Sequence, residues 1–168
     1  MKTRFSFSVL ALLWGVCALS TATAETKTIT AAEFASTDGG EVPYYFDRQR
    51  KALAINAAVE DYREKFARAS VSFDGPTGTY TVTIHAMRET DGDCTYRLFV
   101  NDKLIGQVAN DETAIDYAKQ AHVFEGVKIT HGATLSVESN AVTNGKIPEG
   151  DGTAFARGRW TAITAEQQ

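Results

Sequence analysis

An all-β domain, a sandwich or barrel of short antiparallel strands, is what the sequence predicts, on three observations. Apolar and polar residues alternate at period two through the middle of the chain. Turns rich in Asn, Asp and Gly separate these runs, and no strand–helix–strand alternation interrupts them. The composition agrees, with 168 residues, 43% hydrophobic and 23% charged, which is room for one ordinary globular domain. Three prolines and 13 glycines exclude a collagen-like or Pro-rich linker protein. The net charge of −4 carries no basic stripe of the kind a nucleic-acid binder needs.

The chain opens with a segment expected to be removed. Lys2 and Arg4 form a positive start, Val9 to Leu19 an apolar stretch, and Ala22-Thr23-Ala24 a small-x-small cleavage site. Residues 1–24 are therefore assigned to a signal peptide and residues 25–168 to a single β-sandwich domain, secreted or periplasmic, with no membrane span once the leader is cut. A lipid anchor on Cys17 is disfavoured, because Trp14-Gly15-Val16 matches the expected lead poorly. Cleavage leaves 15 basic against 21 acidic residues, a net charge of −6. Only Cys94 survives, in a strand pattern, where a lone cysteine reads as a small buried hydrophobe.

Taken in order, Ile29 to Phe34 reads as the first strand. Val42 to Arg48, rich in aromatics, reads as a loop, and Leu53 to Asn56 as a strand. Val59, Tyr62, Phe66 and Ala69 keep helical spacing, so Ala58 to Lys65 reads as one or two short helical turns, with an irregular lead into a strand from Ala67 to Phe73 as the alternative. Gly78 starts the clearest strand, with Tyr80, Val82, Ile84 and Ala86 on one face. Tyr96, Leu98 and Val100 form the next, and Asn101-Asp102 predicts a tight hairpin into Lys103 to Val108, since both residues tolerate positive φ. Phe124 to Ile129 and Thr134 to Glu138 flank a His131-Gly132 turn, and Arg159 to Ala165 closes the chain. The expected core is Tyr80, Val82, Ile84, Leu98, Val100, Leu135, Val137 and Trp160.

Three clusters carry the chemistry. Val137 to Trp160 is a long polar connection of the sort that bears function on a sandwich. Asn140 and Asn144 can each donate and accept, Glu149 accepts, and Arg157 is a fixed cation, a set that suits sugar hydroxyls. The same residues also suit an internally bonded brace, with Arg157 or Arg159 tied to Glu149 or Asp151. Glu89-Thr90-Asp91-Gly92-Asp93 is read three ways: a hard-cation site using Asp91 and Asp93, a solvated hairpin turn, or carboxylates that pair with the loop arginines. Tyr44 and Tyr45 offer rings for stacking on a sugar, or plugs for the end of the sandwich. His85, His122 and His131 are isolated and lack metal-ligand spacing, and no nucleophile elbow, phosphate-binding loop or C-x-x-C pair occurs.

Ala32-Glu33-Phe34, the G-x-Y-x-V-x-I run from Gly78 to Ile84, and Tyr-Arg-Leu-Phe-Val-Asn from Tyr96 to Asn101 together resemble the carbohydrate-binding modules of families 6 and 35 and the wider galactose-binding-like sandwiches. The layout covers about Glu33 to Ile163. The resemblance implies an antiparallel jelly-roll β-sandwich that binds a poly- or oligosaccharide through end loops without catalysis. It also implies a structural calcium, for which Glu33 matches the first acidic position, while the last strand offers only Glu166 near the tail. The partners implied are a carbohydrate and a polysaccharide-degrading enzyme or another envelope protein. Two further readings stand beside it: a protein-interaction or structural domain of the envelope, and a small jelly-roll glycan lyase or hydrolase, which would need two carboxylates about 5 to 9 Å apart across a cleft.

Overall fold

A computed structural model describes residues 25–34 and 37–168, so the signal-peptide assignment lies outside the described residues. Within them the chain is an antiparallel β-sandwich. Its larger sheet runs β2 (Tyr44–Asp47), β3 (Ala52–Ile55), β12 (Trp160–Gln167), β5 (Gly78–Arg88) and β8 (Ala118–Ile129), and β1 (Thr26–Thr30) also pairs with β12. The facing sheet runs β4 (Phe66–Ser72), β9 (Thr134–Asn140), β6 (Thr95–Val100) and β7 (Lys103–Ala109). A small ribbon, β10 (Pro148–Glu149) and β11 (Gly152–Thr153), projects from the connection between β9 and β12. Among the described residues no helix is long and apolar enough to cross a membrane.

Period-two alternation places the core. Tyr80, Val82, Ile84 and Ala86 of β5 are buried, as are Tyr96, Leu98 and Val100 of β6, Leu135 and Val137 of β9, and Trp160 and Ile163 of β12. Phe34 and Tyr44 meet Trp160 edge-on, at centroid distances of 4.8 and 6.1 Å, a geometry the ring quadrupoles favour. All eight expected core residues are buried, and so is Cys94, whose thiol is pushed well up by burial and stays protonated. Asn101 and Asp102 hold φ of 48° and 62°, the two positive values of the expected hairpin turn.

Four assignments are corrected. The first strand starts earlier and ends at Thr30. Ala31–Glu33 forms a 3-10 turn there, with the Glu33 carboxylate accepting from both the N–H and the hydroxyl of Thr30. The Val42–Arg48 aromatics are not a loop: Tyr44–Asp47 pairs with Ala52–Ile55 in a hairpin, which satisfies the backbone and buries the Tyr44 ring against Trp160. The helical turns shrink to Glu60–Tyr62. Finally, β8 begins at Ala118, six residues before the predicted strand, since its pairing with β5 continues to Arg88.

The end loops are held by close backbone approaches. Gly158 has φ of +58°, and a Cβ there would lie 2.5 Å from the Ser139 Oγ and 2.6 Å from the Asn140 carbonyl oxygen. The chain can therefore cross β9 only at a glycine. At Gly92 a Cβ would lie 2.5 Å from the Val142 carbonyl oxygen, so the turn after β5 packs directly on the start of the long connection.

Candidate functional site in the end loops

Three segments meet at one end of the sandwich: residues 56–65, the turn from Glu89 to Asp93, and the connection from Ala141 to Arg159. Between them lies a cleft of about 280 Å³, lined by Arg63, Asp91, Glu149, Phe155 and Arg157, with Ala57, Ala58 and Gly150 on its wall. Arg63 donates from Nε to the Ala57 carbonyl at 3.0 Å, and its guanidinium stands 4.7 Å from the Phe155 ring centre. Arg157 donates from Nη1 to the Tyr45 hydroxyl at 3.2 Å. The cleft thus offers two arginines, two carboxylates and a ring.

A buried ion network anchors the Arg157 backbone beside it. Glu89 is only 5% exposed, and its Oε1 accepts from Arg159 Nη1 while Oε2 accepts from the Arg157 backbone N–H at 2.9 Å. Arg159 also donates from Nε to Asp47 Oδ2 at 3.2 Å. Burial pushes the Glu89 carboxyl above the usual carboxylate range, against the pull of the Arg159 charge. Burial works the same way on Asp47, but the Arg50 N–H and the Arg159 guanidinium outweigh it and hold that carboxyl below its ordinary value. A carboxylate between two fixed donors gives the backbone of Arg157 one position, and with it the entry of β12. Two of the three readings of the Glu89–Asp93 cluster are seen together: Glu89 bridges Gly92 in a tight antiparallel turn with Thr90 and Asp91 at its tip, and the Glu89 carboxylate pairs with the loop arginines.

The expected site residues separate into two groups. Glu149, Arg157 and Asp91 converge on the cleft, and Tyr45 supports it. Tyr44 is buried, with its hydroxyl 2.8 Å from the Ser139 Oγ, and presents no ring for stacking. Asn140, 9% exposed, accepts from the Thr95 N–H at 2.7 Å and fixes the start of β6. Asn144 is a brace: its Nδ2 donates to the Thr90 carbonyl at 2.8 Å, its Oδ1 accepts from the Lys146 N–H at 2.9 Å, and its own N–H donates to the Asp91 carbonyl at 2.6 Å. Asp93 is exposed in the turn and does not line the cleft. Glu33 caps Thr30, and among the described residues no three His, Cys, Asp or Glu side chains gather. Glu33, the first-strand calcium position that the resemblance implies, and Asp91 and Asp93, of the separate hard-cation reading, belong to no such group. Arg63 was missed, since it sat in a segment read only for helical spacing, and Phe155 had no partner in the sequence to mark it.

No protein-family model matches the chain. An uncharacterized protein, P23, of Formosa agariphila is 32% identical over 143 residues. That match covers 83% of this chain and 31% of the relative, so the chain spans about a third of the length of the curated relative it matches. Among solved structures, the chain is similar to a family 36 carbohydrate-binding domain of a multidomain xylanase from the hindgut metagenome of Trinervitermes trinervoides. The TM-score is 0.52 at 11% identity, covering 84% of this chain and 96% of that one. It is similar to a family 35 carbohydrate-binding module from Clostridium thermocellum (TM-score 0.51, 13% identity, 83% and 98% covered). It is also similar to the C-terminal family 6 module of a marine laminarinase from Zobellia galactanivorans (TM-score 0.50, 9% identity, 85% and 100% covered). The fold is accordingly the jelly-roll sandwich of these modules.

Proposed function

From that shared jelly-roll fold, we propose that residues 25–168 form an exported, non-catalytic carbohydrate-binding domain that takes an oligo- or polysaccharide in the end-loop cleft. The observation that carries the reading is the convergence of Arg63, Asp91, Glu149, Phe155 and Arg157 on one cleft, with the Arg157 backbone held by the buried Glu89 carboxylate. Donors and acceptors in fixed positions bind a hydroxylated ligand without the entropy cost of ordering a loose loop. Phe155 supplies the apolar face that a pyranose ring stacks on. The names of the similar modules support a saccharide as the ligand class, and the n-, h- and cleavage regions of residues 1–24 support export.

A glycan array, run with calcium and with chelator because the resemblance implies that cation, identifies the ligand. Titration calorimetry of Arg157→Ala and Phe155→Ala then locates it. Loss of one ligand hydrogen bond weakens binding by about 0.5–1.5 kcal/mol, more where a charged partner is left alone. Wild-type protein that binds no glycan, or both variants binding as wild type does, overturns the assignment. Release of reducing ends from a bound glycan overturns the non-catalytic part alone.

A further inference from the structure

A second, larger cleft lies on the larger sheet and shares no lining residue with the first. Its volume is about 690 Å³, and it runs from the β2–β3 hairpin across β12 and β5 to β8. Arg48, Arg50, Lys51 and Lys119 line it, with Phe46 and Met87 supplying apolar floor, and no aspartate or glutamate lines it. This is unexpected in a domain with six more acidic than basic residues. Three of the cations sit in the single turn between β2 and β3, where Lys51 holds a φ of 51°. Lys119 reaches the cleft from β8, opposite Met87 of β5.

The cations are not consumed by their neighbours. Asp47, the closest acid in sequence, gives its two oxygens to Arg159 Nε at 3.2 Å and the Arg50 backbone N–H at 3.1 Å. Arg50 is oriented by stacking 3.5 Å from the Tyr117 ring centre and by Gln49, with only a 3.9 Å approach to Asp47. Among the described residues, no ion pair or hydrogen bond engages the side chains of Arg48, Lys51 or Lys119. Like charges brought together without counter-charge cost stability, and they focus potential for an anion over a low-dielectric floor. Exposed Phe46, 38% accessible, is the kind of surface a sugar ring covers.

We propose that this cleft is a second saccharide-binding site, specific for an anionic polysaccharide carrying sulfate esters or uronate carboxylates. The proposal rests on the carbohydrate-binding reading and adds the charge class of the ligand. Arg48 and Arg50 would make the paired hydrogen bonds that planar guanidinium groups form with such oxyanions, and Lys51 and Lys119 would act as point charges along the chain.

The test is affinity electrophoresis and calorimetry in 150 mM salt (about the physiological level) with dextran sulfate, polygalacturonate, unmodified dextran and single-stranded DNA. The arms with dextran sulfate and polygalacturonate tell sulfate from carboxylate. The expected result is binding to at least one acidic polysaccharide, weaker in higher salt, with none to dextran. Arg48→Glu/Lys51→Glu and Lys119→Glu, each with a wild-type melting temperature, lower that affinity at least tenfold, while Lys103→Glu on the other sheet does not. Absence of polyanion binding by wild type, equal binding to DNA, or an equal loss in Lys103→Glu overturns the proposal. If an uncharged glycan binds while no polyanion does, only this site falls. If polyanion binding disappears in both cleft variants and no uncharged glycan binds, the end-cleft assignment falls and this one stands.

Discussion

His122 is a single residue whose protonation state the packing dictates. It is buried beside the Tyr96 ring, and its Nε2 lies 2.8 Å from Asn110 Oδ1. Asn110 Nδ2 donates to the Met87 carbonyl at 3.0 Å, so its Oδ1 must accept, and His122 must carry the Nε2 proton. Burial lowers its pKa below 6.5, against a smaller pull from Asp111. The unfolded chain therefore takes up a proton first as pH falls, and the stability present above pH 6.5 is lost as pH drops through the lower folded value. Thermal melts between pH 7.5 and 5 should show this decline in wild type and a flatter profile in His122→Gln. Asn144→Ala removes two side-chain hydrogen bonds, the one to the Thr90 carbonyl in the turn after β5 and the one from the Lys146 N–H, and should cost about 1–3 kcal/mol by urea titration. Leu98→Ala, fully buried, should cost about 2–5 kcal/mol by the same measurement.

Elements differ in how much of their own reason they contain. Gly158 marks the sharpest case: Gly158→Ala places a methyl against Ser139 and Asn140 at a positive φ, and should lower stability by at least about 1 kcal/mol in a chemical melt. The strands β5, β6 and β9 were legible because each alternates cleanly and has one face in the core. Asn101-Asp102 was legible because two adjacent positive-φ residues admit one turn. The start of β8 was not, since Ala118 to Val123 draws its strand character from pairing with β5, and only His122 of that stretch faces the core. The Tyr44–Asp47 strand failed for the same reason: it exists because Ala52–Ile55 lies beside it. At the candidate site Arg157, Glu149 and Asp91 were visible as a polar cluster, whereas Arg63 entered it through a fold-back that no local spacing announces.

Over the whole molecule, charge and topology set the expected behaviour. Produced with its first 24 residues in an exporting host, the chain should be recovered outside the cytoplasm with an intact mass beginning at Glu25. A mass that retains Met1, or a lipid on Cys17, would refute that assignment. The antiparallel pairing of β1 with β12 has a mechanical consequence. Thr26 faces Glu166, and the Gln167 N–H donates to the Glu25 carbonyl at 2.9 Å, so both ends of the sandwich leave from one corner. Tension applied between those ends loads the hydrogen bonds one after another, as a zipper opens, rather than all at once in shear. A domain so attached yields at low force from its edge inward, and β1 peels away while the contacts of β5 with β8 remain loaded by nothing. Tethered by one end only, the same sandwich bears no load at all.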